Sequence, residues 1–375
     1  VPSVGFVGKE PRRPTTHTPL PVCDAGPMAR RFLFHLDLDE FIAAVERLRH
    51  PELEGKPIVV GGDGDPTKRG VVSTASYEAR AFGIRSAMPL RTAYKRNPDA
   101  IFLAVDADAY LEASNHVMDT LRTFDAEVEV AGWDEAFLAV AADDPETLAR
   151  EIQQRVLRRT RLWCTIGIGD NRLQAKLASG FGKPRGVFVL TSDQWNETMF
   201  GLTTSELWGI GSKTAAKLAD LGIRTVGELA GAEDAVLAER FGPRTGPWLA
   251  SLGRGEGSAR VHPEGWTRKG LSKEHTFQRD LTDPAEIRTE VARIAREVAV
   301  DLRGDGWLAV RVVVKVRFAP FFTTTHGVTL DEPIADPVAI ADAAGRALER
   351  FELDRPVRLL GVRAELAAPV VQVGG

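Results

Sequence analysis

The sequence predicts an α+β chain of several domains, and three observations carry that reading. Strand-like and helix-like patterns alternate over the first 190 residues, but "EVEVAGWDEAFLAV" (127–140) reads as a hairpin among them. That favours a mixed sheet with helices on one side over a doubly wound parallel sheet. From about residue 191 the chain becomes small-residue, helical and glycine-punctuated, and from Leu271 a second α+β unit begins. A chain of 375 residues can bury several cores, and 43% hydrophobic with 27% charged residues is a soluble globular composition.

In order, "RRFLFHLDLD" (30–39) reads as a buried strand, and Phe41 to Arg49 as a helix with Pro51 beyond its end. "KPIVVGG" (56–62) is a strand closed by a glycine turn. "RGVVSTASYEARAFGI" (69–84) starts extended and turns helical at Ser76, and "MPLRTAYKRNP" (88–98) is a short helix ended by proline. After the strand "AIFLAVDA" (100–107), Leu111, Val117, Met118 and Leu121 mark one face of an amphipathic helix. The hairpin, a helix over 145–160 and the strand "LWCTIGIG" (162–169) follow. "LWGIGSKTAAKLADLGI" (207–223) reads as a helix-hairpin-helix around "GIG", and 254–270 as a linker. In the last unit two helices open alike, each with an Asp cap before proline: Asp283–Pro284 and Asp336–Pro337. In "AVRVVVKVRF" (309–318), Arg311, Val313, Lys315 and Arg317 share one face, and Val310, Val312, Val314, Val316 and Phe318 the other.

Composition excludes some classes. No apolar run is long enough to cross a membrane. Two cysteines, Cys23 and Cys164, argue against a disulfide framework and for a reducing cytoplasm. The net charge of −4 argues against a blanket nucleic-acid footprint but leaves room for a local basic face. Residues 1–30, rich in Pro, Arg and Thr, are expected to be a disordered tail, with Met28 read as a natural start.

The chemistry lies in the acids. Asp37 and Asp39 alternate on a buried strand and so share a face, where desolvated carboxylates need a partner. Asp134 and Glu135 sit on the hairpin beside it. Carboxylates gathered in a dry site call for cations, and hard oxygen ligands suit Mg²⁺. On spacing alone, solvated acids at a hairpin tip remain the ordinary alternative.

Five ordered motifs add a resemblance. "FHLDLDEFIAAVE", "GVVSTASYEARAFGIRSAMP", "GWDEAFL", "GIGDNRLQAKLASGFGKPRG" and "LWGIGSKTAAKLADLGI" occur in the order seen in Y-family DNA polymerases, and the chain resembles their bacterial DNA polymerase IV branch from about Phe32 to Leu366. The resemblance implies a right-hand architecture: palm (31–40 and 106–190), fingers (41–105), helical thumb (191–257), linker (258–267) and little finger (268–368), with a tail over 369–375. It implies that Asp37, Asp134 and Glu135, with the Leu38 carbonyl, hold two Mg²⁺ per site, for which Mn²⁺ can substitute. Thr74, Tyr77, Arg80 and Lys183 are implied to hold the triphosphate and Ser73 to sit over the nascent base pair. Asp39 is implied to be structural.

Ile42 departs from the family pattern. The aromatic steric gate expected there is replaced by an aliphatic side chain, which predicts weakened exclusion of ribonucleotides. Glu40 stands where a neutral residue is common, and reads as a solvent-facing acid or a charge favouring extra metal. Gly209, Gly211 and Lys213, then Arg268, Lys269, Arg311, Lys315 and Arg317, are the expected DNA contacts. The implied activity is low-fidelity, translesion-type, template-directed nucleotidyl transfer by a monomer on primer-template DNA, with dNTPs and possible use of rNTPs, and without a proofreading exonuclease. The final "APVVQVGG" shows no glutamine-plus-aromatic peptide, so a sliding-clamp contact stays open. The rival readings are a palm-type nucleotide cyclase and a DNA-binding scaffold with idle acids.

Overall fold

A computed structural model describes residues 30–367 of the chain; the readings made for the N-terminal tail, Cys23, Met28 and the last eight residues lie outside the described residues. The first unit runs β1 (Arg31–Leu38), α1 (Phe41–Arg49), β2 (Ile58–Val60), β3 (Thr74–Ala75), α2 (Tyr77–Ala81), α3 (Leu90–Arg96) and β4 (Ile101–Leu103). It continues through α4 (Ala107–Leu121), β5 (Glu127–Val130), β6 (Glu135–Ala141), α5 (Pro145–Thr160), β7 (Cys164–Gly169), α6 (Arg172–Gly182) and β8 (Val187–Val189).

Five of these strands form one mixed sheet in the order β5-β6-β1-β7-β8, antiparallel except for β7 with β8. β1 is central and alternates. Phe32, Phe34, Leu36 and Leu38 pack into a core shared with α1, α4 and α5, while Leu33 packs toward α6 with Phe137 and Ala175. Helices therefore cover both faces of this sheet, and the expectation of helices on one side fails. The reason lies in β7: a Cβ on Gly167 would stand 2.1 Å from the Ala175 carbonyl and from the Ser179 nitrogen, and one on Gly169 2.6 Å from the Ala175 nitrogen. Bare backbone at those two positions is what lets α6 lie against the sheet.

A small second sheet, β3-β2-β4, carries its own core of Val59, Val72, Ala75, Ala79, Ile84 and Leu90. α1 does not join it; Phe41 and Val45 pack into the large-sheet core instead.

The helical unit comprises α7 (Ser192–Met199), a 3₁₀ turn (Thr204–Glu206), α8 (Ser212–Asp220), α9 (Val226–Ala230), α10 (Asp234–Phe241) and α11 (Thr245–Gly253). The element before "GIG" is thus a single 3₁₀ turn rather than an α-helix. The last unit has β9 (Gly270–Leu281), α12 (Pro284–Gly304), β10 (Ala309–Phe318), β11 (Phe322–Ile334), α13 (Pro337–Leu348) and β12 (Val357–Leu366), with sheet order β11-β10-β12-β9. Both helices sit on one face, held by Ile287, Val291, Ile294, Val298, Ile340 and Ala344. A register shift between Ala309 and Arg311 takes Val310 off the core face where strict alternation had placed it.

Candidate active site

The acids meet where β1 ends. Asp37 is paired across the sheet with Glu135, and the Leu38 N–H donates to the Asp134 carbonyl at 2.9 Å. Asp37 belongs to the face of β1 that looks toward α6, and that helix answers with cations. Lys183, just past its end, donates to Asp37 at 2.5 Å, and Lys176 donates to Glu135 at 2.6 Å. The buried His35 bonds Ser179 Oγ through Nδ1 at 2.8 Å and turns Nε2 toward Glu135 at 3.6 Å.

The environment splits the three carboxyls. Burial pushes Asp37 up, against the pull of Lys183, and Asp134 and Glu135 add to the rise. Burial also raises Asp134, with Glu135 adding repulsion. The His35 ring and then Lys176 hold Glu135 down to about 2; of the two, the Lys176 contact is the shorter and the firmer. Two half-buried oxygen donors thus lack sufficient positive charge, which fits hard divalent cations. In the present rotamers the lysines draw Asp37 and Glu135 aside, and among the described residues no three acidic, His or Cys side chains converge on one point.

Asp39 does not share the face of Asp37, because the strand stops at Leu38. Its buried carboxylate accepts from Thr165 Oγ1 at 3.0 Å, the Arg185 N–H at 2.9 Å and the Tyr77 hydroxyl at 3.1 Å. Tyr77 opens α2, which is capped by Ser76. The Arg80 guanidinium lies 5.0 Å over the Tyr77 ring, and its Nε donates to the Ala75 carbonyl. Ser73 and Thr74 are half-buried just before α2; the Ser73 N–H donates to the Val60 carbonyl. Ile42 lies in the first turn of α1, half-buried against the large core.

Glu40 corrects its sequence reading. It is 7% exposed, in a left-handed conformation (φ 42°), and faces neither solvent nor the other acids. Arg47 donates to it at 2.5 Å, and it accepts the Tyr77 N–H at 2.7 Å.

Sequence models of known families match in three places: the impB/mucB/samB family over residues 36–180, its C-terminal domain over 268–371, and the thumb domain of DNA polymerase iota over 205–256. "DNA polymerase IV 2" of Mycobacterium tuberculosis is 48% identical over 343 residues, 90% of this chain and 99% of that protein. The chain belongs to the Y family of DNA polymerases. "DNA polymerase IV" of Halorhodospira halophila is 38% identical, over 89% of this chain and 95% of that one. Among solved structures, a Y-family DNA polymerase chimera aligns with a TM-score of 0.80 at 26% identity, covering 89% of this chain and 98% of its own. An insertion ternary complex of Dbh DNA polymerase aligns at 0.63 with the same identity and coverage. This chain is accordingly a DNA-directed DNA polymerase of the translesion type, in the DNA polymerase IV branch.

The polymerase's expected DNA contacts are spread over two units. Gly209 (φ 103°) and Gly211, the cap of α8, form the tight turn before the exposed Lys213. Of the five expected cations on or just before the last sheet, three are already paired: Arg311 with Glu365, Lys315 with Glu274 and Arg268 with Asp305. Arg317 donates to Thr323, and Lys269 is exposed. Residue patterns missed several participants. Lys176 precedes Lys183 by seven residues in the same motif, and that spacing was the available signal. His35 gave none, because its partners Ser179 and Glu135 are distant in sequence.

Proposed function

We propose that this polymerase extends a primer by nucleotidyl transfer at the end of β1, and the observation that carries the proposal is the pairing of Asp37 with Glu135 beside Asp134, where burial leaves the acids short of positive charge. Y-family polymerases depend on a divalent metal; here Asp37, Asp134, Glu135 and the Leu38 carbonyl would hold two Mg²⁺ or Mn²⁺. When bound, such ions activate the primer hydroxyl and neutralise the triphosphate and its departing pyrophosphate.

The chain's own residues supply the positioning. Tyr77 and Arg80 on α2, Thr74 before it and Lys183 after α6 present hydroxyls and cations to the triphosphate. Lys183, which donates to Asp37, would offer the same ammonium to a phosphate oxygen when nucleotide binds. Ser73 lies over the nascent base pair and Ile42 under the sugar. An aliphatic gate of that size blocks a 2′-hydroxyl incompletely, so ribonucleotides enter more readily than past an aromatic ring. Palm, fingers, thumb and little finger take the boundaries read from the sequence, with α1 lending its apolar face to the palm core. Primer-template DNA lies against the "GIG" turn and the outer face of β10.

Primer extension on a defined template, with dNTPs and rNTPs in parallel and Asp134→Asn as control, tests this reading. Extension with both sugars, abolished in the variant, is expected. Extension that survives Asp134→Asn overturns the assignment of the acids; extension with dNTPs alone overturns the reading of Ile42.

A further inference from the structure

Glu40 occupies a backbone conformation that non-glycine residues adopt at some cost, and it is buried as well. Two contacts hold it there. Arg47, about two helical turns along α1, donates to its Oε1, and the Tyr77 N–H donates to its Oε2. Arg47 is shared: its other terminal nitrogen donates at 2.5 Å to Glu78, the neighbour of Tyr77 on α2. The guanidinium side chain is 10% exposed, and its Nε has no hydrogen-bond partner among the described residues, so the two carboxylates keep it in place against a desolvation penalty. Asp39, immediately before Glu40, takes the Tyr77 hydroxyl.

The two ends of Tyr77 are therefore fixed by consecutive acids of one turn. That same turn launches α1, which carries Ile42 two residues later. α2 is only five residues long, too short to hold its own orientation, and its cap Ser76 fixes only its first turn.

We propose that Glu40, through Arg47 and Glu78, is a positioning residue for nucleotide binding: a charge clasp that sets α2 and its phosphate-facing Tyr77 and Arg80 against the turn bearing Ile42. The inference rests on the reading of Tyr77 and Arg80 as triphosphate contacts. The left-handed backbone at Glu40 is the strained part of the clasp, and the salt bridge to Arg47 offsets that strain.

Glu40→Gly separates the two, because glycine keeps the left-handed backbone without strain and removes only the carboxylate. Single-nucleotide insertion kinetics on a fixed primer-template, with thermal melting and DNA affinity measured on the same preparations, provide the test. In Glu40→Gly the KM for the incoming dNTP is expected to rise roughly tenfold, the loss of about one charge-assisted hydrogen bond, with kcat and DNA affinity within about twofold. Glu40→Gln, whose amide oxygen still accepts the Tyr77 N–H, falls between wild type and Glu40→Gly. Arg80→Ala is the reference. If Arg80→Ala raises the KM and Glu40→Gly does not, the clasp is overturned while the triphosphate reading stands. If neither moves the KM, the triphosphate reading itself falls. A parallel loss of kcat, DNA affinity and melting temperature in both Glu40 variants would mark a merely structural residue and also overturn the proposal.

Discussion

Ile42 and Lys183 are where single side chains are expected to matter most. Ile42→Phe should raise the preference for dNTP over rNTP by about tenfold or more, read as the ratio of kcat/KM values, because a ring restores the block that a β-branched chain leaves incomplete. Lys183→Ala removes both the partner of Asp37 and a phosphate contact. Its kcat/KM should fall by at least about 10²-fold, with most of the loss in nucleotide KM. At this scale the sequence showed its acids clearly, since Asp37, Asp134 and Glu135 stand in local motifs. It misread Glu40, because what tames that charge is Arg47, about two helical turns away, and an N–H on α2. It also missed Lys176, which reaches Glu135 only once α6 is packed on β1, and His35, which reaches it only once β1 pairs with β6.

Two elements carry predictions of their own. Gly167→Ala would press a methyl group into the backbone of α6, so a loss of roughly 3 kcal/mol or more is expected in denaturant unfolding. The second element is β5. The fully buried Glu129 takes two bonds from Arg172, at 2.5 and 3.0 Å, and also accepts the His262 N–H and Trp266 Nε1–H of the linker, both at 2.9 Å. Burial alone would raise its carboxyl, but Arg172, His262 and Trp266 outweigh burial and hold it below the ordinary range. A lowered carboxyl pKa stabilises fully above the unfolded value, about 4.3, and that contribution disappears as pH falls through the lower folded value. Glu129→Gln should therefore lower stability by about 3 kcal/mol near pH 7, and its deficit against wild type should shrink below about pH 4 in melting curves. Element boundaries were legible from caps and prolines. The second covering of the large sheet was not, because nothing local in the strand "LWCTIGIG" shows that bare backbone at Gly167 and Gly169 receives a helix.

Across the whole molecule, negative net charge coexists with a local cluster of Arg69, Arg91, Arg317 and Arg358. Arg69 and Gln278, 209 residues apart, exchange two hydrogen bonds, and Arg69 also donates to Asp280 and the Phe277 carbonyl, tying the segment between β2 and β3 to β9. Arg358 lies 4.8 Å over Phe321 at that junction; burial lowers its pKa, and the like charges of Arg69, Arg317 and Arg91 add to the effect. An anionic strand is drawn most strongly to such a surplus. DNA affinity should fall steeply with salt, and Lys213→Ala should flatten the log–log slope by about one without changing sequence preference. The change to a helical unit after about residue 190 and to a second α+β unit from Leu271 was readable from composition shifts, whereas ties such as Arg69 to Gln278 were not, since no local pattern links the two. One component deserves a mechanical description. Helix α6 meets the linker through Arg172, the thumb core through Leu173 and Ala178, Glu135 through Lys176, and Asp37 through the lysine just beyond its end. Linker, thumb core and reaction centre all bear on one rod of eleven residues, and a tilt of that rod would put all three out of true together.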